Sequence, residues 1–469
     1  MADTAPTPAS PNAEQIAEAV HAALPASIAE LSRLVRIPSV SWDGFDPAHV
    51  RESAEAIAQL VRELELFDSV EIAQSRIGDG EQLGQPAVLA TRAARNGAPT
   101  VLLYAHHDVQ PPGRDEDWAS APFEPALRGQ RLYGRGAADD KAGVVAHLAA
   151  IRALVAARGA DLDLGIVLFF EGEEEFGSRS FANFLADHEA QLRADAIVVA
   201  DSGNWSTSVP ALTVGLRGNV TFRLTVSTLE HASHSGMFGG AVPDAMLAAI
   251  RLLDTFWDAD GSVAVEGMTV REAETPEYDE AQLRAETGLL EGVSPIGDGT
   301  ILSRLWNKPT VTVTGIDAPS VVNASNTLIP SVTVKVSARV APGQRSADAH
   351  AALERHIRAH TPFGAHVEIG DGDQGDAFLV DTSGWAVGET LAALEEAWGT
   401  APVEMGVGGS IPFISDLVAR FPEAQILVTG VEDPDSRAHS PNESLDLGSF
   451  HRSILAEALL LSRLDARRP

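Results

Sequence analysis

Residues 165–175, GIVLFFEGEEE, run from six residues with no polar side chain straight into four glutamates within five positions. A stretch so apolar and so short reads as a strand covered on both faces. The same abrupt change recurs twice: residues 100–105, TVLLYA, open into His106, His107 and Asp108, and residues 196–200, AIVVA, open into Asp201. Between 100–105 and 165–170, residues 141–157 carry apolar side chains at helical spacing. Short apolar strands separated by helices predict an α/β domain whose helices cover the sheet. In such sheets chemistry gathers at the carboxyl ends of the strands. Three successive strand ends here carry ionisable residues, more than surface wetting requires.

Outward from this region, helical spacing over 13–35 and 49–64 and a β-rich run at 87–93 precede the first decisive strand. Residues 1–11, rich in Ala, Pro, Ser and Thr, are expected to be disordered. The character changes near Pro210. Residues 211–229 alternate like a half-exposed strand, 243–257 read as an amphipathic helix, and 258–308 are acidic with weak periodicity. Strands at 310–315 and 331–340, a helix at 346–359 and a strand at 365–369 complete a β-α-β-β-α-β order, the pattern of a small α+β domain. Helix–strand alternation then returns, with helices at 384–398, 411–420 and 447–464 and a strand at 424–431. The late segment is too short to stand alone and is expected to complete the first domain. The predicted organisation is a first domain over 12–210 and 375–466, interrupted by an inserted domain over 211–374.

Across the 469 residues, 34 basic side chains face 66 acidic ones, a formal net charge of −32. That balance argues against nucleic-acid and anionic-membrane partners. Cysteine is absent, which removes disulfides, thiolate nucleophiles and sulfur-ligated metals. The amino-terminal segment shows no basic stretch followed by an apolar run, and no uncharged apolar stretch reaches membrane-spanning length, so a cytoplasmic location is expected.

The polar residues form a nitrogen and oxygen donor set. In extended backbone His106 and Asp108 face one side, so His106 can ligate a metal while Asp108 orients its ring. Asp139 and Asp140, in GRGAADDK, precede a helical run, where capping accounts for only one of them. The glutamates of EGEEE repel one another unless cations intervene or solvent screens them. His439 lies in AHSPNE, on a loop ahead of the last helix, since Pro441 keeps its predecessors out of helix. Two imidazoles with several carboxylates suit a two-metal hydrolytic centre, with zinc first and manganese or cobalt as alternatives. No GxSxG elbow follows a strand, and HExxH is absent.

YAHHDVQP, LYGRGAADDK, EGEEEFGS, HSGMFGG, GGSIP and AHSPNE together resemble, in order and spacing, the M20 metallopeptidase family and within it the carnosinase-like cytosolic dipeptidases. The likeness spans about residues 15 to 465. It implies a zinc-peptidase-like α/β catalytic domain, a central mixed sheet flanked by helices, interrupted by a smaller α+β lid and dimerisation domain. By motif position it implies two divalent ions per subunit: His106 and Asp201 on one, Glu175 and His439 on the other, Asp139 bridging. A cis Asp139–Asp140 peptide is also implied. Asp108 then resembles the residue orienting His106, and Glu174 the general base for a metal-bridging water. A one-residue shift of the EGEEE register makes Glu173 the base instead.

The same resemblance implies that His234 reaches from the lid of a partner subunit to stabilise the oxyanion, in a homodimer. Nearby His231 reads as structural. Arg339, in RVAP, matches an arginine that receives a substrate carboxylate, with Asn326 and Thr327 lining that pocket and Gly408, Gly409 and Ser410 forming a backbone-rich wall. The implied activity is hydrolysis of the amide bond of dipeptides or similar small substrates with a free C-terminal carboxylate. The alternative is an N-acyl-amino-acid deacylase on the same dinuclear centre.

Overall fold

The computed structural model describes residues 10–408 and 412–467, which divide into two compact units. The first comprises 10–214, 380–405 and 416–467; the second comprises 215–379 with 406–408 and 412–415.

The first unit is built on a mixed sheet. Its neighbouring strands run Ser69–Ala73, Ala87–Arg92, Gly165–Glu171, Thr100–His106, Ala196–Val199, Gln425–Val428 and Ala211–Leu216. The four from Gly165–Glu171 to Gln425–Val428 are mutually parallel, and those flanking them pair antiparallel. Strand residues are buried on both faces, which is why their sequences are continuously apolar rather than alternating. One face carries Val101, Leu103, Ile166, Leu168 and Phe170 into a core shared with helices Ala13–Val35, Lys141–Arg158, Trp385–Trp398 and Leu447–Ala466. On the other, Phe169 stacks against Phe181 and Phe184 of helix Phe181–Asp187. Because the four central strands share a direction, the residues that follow them collect along one edge of the sheet: His106, the 171–175 loop, Asp201 and the 429–443 loop.

The second unit holds a four-stranded antiparallel sheet in the order Thr310–Asp317, Ser331–Val340, Gly218–Ser227, His366–Gly375. Alternate residues of the two middle strands are buried, including Val220, Phe222, Leu224, Val334, Val336 and Ala338. They share a core with helices Ala245–Asp254 and Ser346–His360. The chain order of these elements is the expected β-α-β-β-α-β. The run read as one strand over 211–229 is two, Ala211–Leu216 and Gly218–Ser227, which pair in different sheets. Alternation continues through the break, so periodicity could not reveal it. A side chain at Gly218 would sit 2.6 Å from the Gly375 carbonyl oxygen, and this close approach requires glycine there. Within 258–308, short helices Glu280–Thr287 and Ile301–Trp306 form, each capped by its preceding Asp279 or Thr300. Among the described residues no helix is long and apolar enough to cross a membrane.

Candidate metal centre

His106 ends its strand fully buried, and its Nε2 lies 3.0 Å from Asp139 Oδ1 and 3.8 Å from Asp201 Oδ1. The other oxygen of Asp139 faces a second imidazole: His439 Nε2 is 3.0 Å from Asp139 Oδ2 and 3.4 Å from Glu175 Oε2. One carboxylate therefore stands between two histidines, one from a sheet strand and one from the loop preceding the last helix. The Asp139–Asp140 peptide is cis. Asp140 is the capping aspartate: its Oδ1 accepts from Gly143 N at 3.2 Å and its Oδ2 from His106 N at 3.1 Å.

The glutamates of the 171–175 loop are sorted by their surroundings. Glu171 accepts from the Tyr104 hydroxyl at 2.6 Å inside the core. The Glu173 carboxylate accepts from Ser180 and from Gln85 N, so it points into the loop's own support. Glu174 is half-buried and joins His106 and Asp201 in a group whose donor atoms lie within 4.8 Å of one another. His106, Asp139 and Glu175 form a second such group. Asp108 anchors the loop, accepting from Glu174 N and Glu175 N at 3.1 Å each and from the Ser41 hydroxyl at 2.7 Å. The His106 ring is oriented chiefly by the Asp108 backbone, with Nδ1 3.1 Å from the carbonyl oxygen and 3.4 Å from the carboxylate.

Residues 102–463 match the profile of peptidase family M20/M25/M40. The chain belongs to the M20 peptidase family. Its relatives include the cysteinylglycine-S-conjugate dipeptidase of Corynebacterium striatum, 36% identical over 379 residues, which cover 80% of this chain and 83% of the relative. The Cys-Gly metallodipeptidase dug1 of Schizosaccharomyces pombe is 28% identical over 449 residues, 91% of this chain and 93% of the relative. Among solved structures, Dug1p of Saccharomyces cerevisiae superposes with a TM-score of 0.77 at 24% identity, covering 97% of this chain and 99% of that one. Human carnosine dipeptidase 1 does so with a TM-score of 0.74 at 23% identity, covering 97% and 100%. These structures share the fold, an α/β catalytic domain with a mixed sheet and a smaller second domain.

The electrostatics of this M20 metallopeptidase fit divalent cations. Burial raises Asp201 and Glu175 well above the usual carboxylate range, and it raises Glu174 to about 7 against the opposing pull of His106. Burial also opposes charge on Asp139 and on His106. Hydrogen bonds from His106 and His439 nevertheless hold Asp139 well below its ordinary value, and Asp108 and Asp139 hold His106 well above its own. So many buried carboxylates share a cleft only if cations or protons neutralise them. Glu175 Oε1 is buried with no hydrogen-bond partner, an orphaned acceptor of the kind a metal ion satisfies. Nitrogen and oxygen donors without sulfur make this a His/Asp/Glu site suited to two metal ions.

The candidates of the second unit lie apart from this network in character. His234 is exposed, caps the turn Ser235–Phe238 by accepting from Gly236 N at 3.0 Å, and pairs across two short strands with Thr327. The structure thus brings His234 and Thr327 together. Asn326 is exposed beside Thr327, its carbonyl accepting from Ser235 N at 2.9 Å. Arg339 sits on strand Ser331–Val340, opposite Asn219 and Thr310. Gly408 accepts at 3.2 Å from Arg217, a buried arginine whose guanidinium also meets the carbonyls of Arg304 and Lys308. Gly409 and Ser410 lie outside the described residues.

Residues absent from the sequence reading also support the centre. Gln110 donates to Glu175 Oε2 at 2.6 Å and the Trp42 indole donates to the Glu175 carbonyl at 3.1 Å. Glu443, four positions after His439, is wholly buried. Its trace in the sequence is its place at the end of the AHSPNE motif.

Proposed function

We propose that this M20 peptidase hydrolyses the amide bond of dipeptides carrying a free C-terminal carboxylate. The carrying observation is the placement of Asp139 between His106 and His439, at 3.0 Å from each, with Glu174 alongside. In this reading His106 and Asp201 hold one ion, Glu175 and His439 the other, and Asp139 is shared. Bound divalent ions, zinc first among the candidates, supply a water acidified towards neutrality and an electrophilic partner for the scissile carbonyl.

Glu174 takes the proton of the attacking water and passes it to the departing amine. Asp108 keeps the Glu174 and Glu175 amides and the His106 ring in register through the hydrogen bonds described above. His234, on an exposed turn, stabilises the developing oxyanion from the partner subunit of a homodimer built through the second unit. Arg339 receives the substrate carboxylate, and Thr327, which pairs with His234 at the other end of the sheet, accompanies that histidine rather than Arg339. The names of the relatives, cysteinylglycine-S-conjugate and Cys-Gly dipeptidases, favour dipeptides over N-acyl amino acids.

The test is a substrate panel on metal-free protein reconstituted with zinc, manganese or cobalt: cysteinylglycine, S-substituted cysteinylglycine, β-alanyl-histidine and N-acetyl amino acids. Dipeptide hydrolysis appearing only on reconstitution is expected. Turnover without metal overturns the mechanism, and preference for N-acetyl amino acids moves the assignment to a deacylase.

A further inference from the structure

Glu443 precedes strand Ser444–Asp446, which pairs antiparallel with Arg131–Tyr133 and so delivers Glu443 to the start of the loop that carries Asp139. Its backbone carbonyl accepts from Gly134 N at 3.1 Å. Its carboxylate, 0% exposed, is then filled from all sides. Oε1 accepts from Ala138 N at 2.9 Å and Asp139 N at 3.1 Å, and Oε2 from Gly136 N at 3.1 Å and the Arg135 guanidinium at 2.7 Å.

A carboxylate offers about four lone-pair sites, so this one is saturated by a single six-residue loop. Three loop amides turn towards one point. Such a concave arrangement of N–H groups is an anion nest, here occupied by the protein's own side chain. Gly136 makes the curl attainable: its φ is +82°, and a side chain there would lie 2.6 Å from Val109 Cγ1.

The loop held in this way ends in Asp139, and the residue holding it lies four positions after His439. We infer that Glu443 is a positioning residue that fixes Asp139 against His439 before any cation binds, linking the two donors through one buried carboxylate. A simple counter-ion for Arg135 needs no backbone amides, yet three of the four donors are amides of the Asp139 loop. The inference rests on the proposed metal-holding role of Asp139 and His439, and its test reads metal binding rather than turnover.

Metal-free wild type and Glu443→Gln are titrated with cobalt(II), followed by d–d absorption and equilibrium dialysis below the melting temperature of each. The substitution replaces one acceptor oxygen by an amino group facing donors, and it is expected to weaken cobalt uptake about 10–100-fold, the usual cost of losing a partner that orients ligands. Asp465→Asn is the matched control: a buried carboxylate that accepts from Asp163 N and Leu164 N and pairs with Arg158 at the opposite edge of the sheet. It is expected to lower the melting temperature while leaving cobalt affinity unchanged. Wild-type affinity in Glu443→Gln, or an equal loss in Asp465→Asn, overturns the inference alone. A wild type that takes up no cobalt overturns the metal reading and the inference with it.

A second measurement needs no variant. Amide exchange at Gly136, Ala138 and Asp139 in metal-free wild type is expected to be protected already. Unprotected exchange that slows only after loading overturns the inference, because the ions would then be organising the loop.

Discussion

The two units hold their candidate histidines in opposite surroundings. Along the carboxyl edge of the first unit, His106, Asp108, Asp139 and Glu175 are buried and knitted together by hydrogen bonds. In the second, His234 is exposed on a short turn and its ring accepts from the nearby Gly236 amide. Burying ionisable groups is costly unless they are paired, so a buried cluster of them is itself a sign that something offsets the cost. An exposed histidine costs nothing to keep, and its own environment says nothing about use. The first unit's site can be argued from physics alone, whereas the second unit's residues enter through motif likeness and need solution tests.

Four outcomes sharpen or break that contrast. Glu174→Gln is expected to lower kcat by about 10²–10⁴-fold, the usual range for a general base, with metal content unchanged by elemental analysis. Near-normal turnover would remove Glu174 from the chemistry and reopen the case for Glu173. His234→Ala is expected to cost about 10²–10³-fold, as for loss of one oxyanion donor, while shifting stability by no more than about 1 kcal/mol, as for loss of the cap it supplies to a short turn. Mixing it with Glu174→Gln should restore activity through heterodimers, and no recovery after verified subunit exchange argues against action in trans. Arg339→Lys is expected to raise KM about 10–100-fold with kcat nearly kept, the worth of a charged hydrogen bond to a carboxylate. Unchanged KM would place the carboxylate elsewhere.

The smallest effect concerns stability inside the first unit. Burial opposes charge on His147, but Glu457, 2.7 Å from its Nδ1, prevails and raises its pKa above the ordinary 6.5. A raised folded pKa contributes stability that is complete at pH values below that ordinary value and is lost as pH climbs through the folded one. The advantage of wild type over His147→Gln in urea midpoint should therefore shrink as pH rises from 6 towards 9. A gap that widens with pH contradicts the pairing.

The legible parts of the molecule were those written in contiguous residues. An apolar run followed at once by His106, Glu171 or Asp201 carries its own meaning, because a strand covered on both faces must be apolar and its end must emerge somewhere. The order of elements in the second unit was readable from local spacing too, alternation marking the strands and helical period the helices. The division of labour between Asp139 and Asp140, one reaching two histidines and the other capping a helix, was implied only by the motif resemblance, since adjacent identical side chains differ only in where the backbone aims them. Glu173 and Glu174 pose the same problem: Ser180 and Gln85 claim the first, and neither is near in the alternation that a sequence displays. The change of sheet at Arg217 was hidden because both halves alternate alike.

Sequence alone determined the α/β class, the interruption by a smaller domain and the edge where ionisable groups gather, because burial on two faces dictates composition locally. Tertiary structure alone decided that His106 and His439 face opposite oxygens of Asp139 and that Glu443 fills the curl beneath it. Such distances depend on how distant segments pack, and no local pattern encodes them.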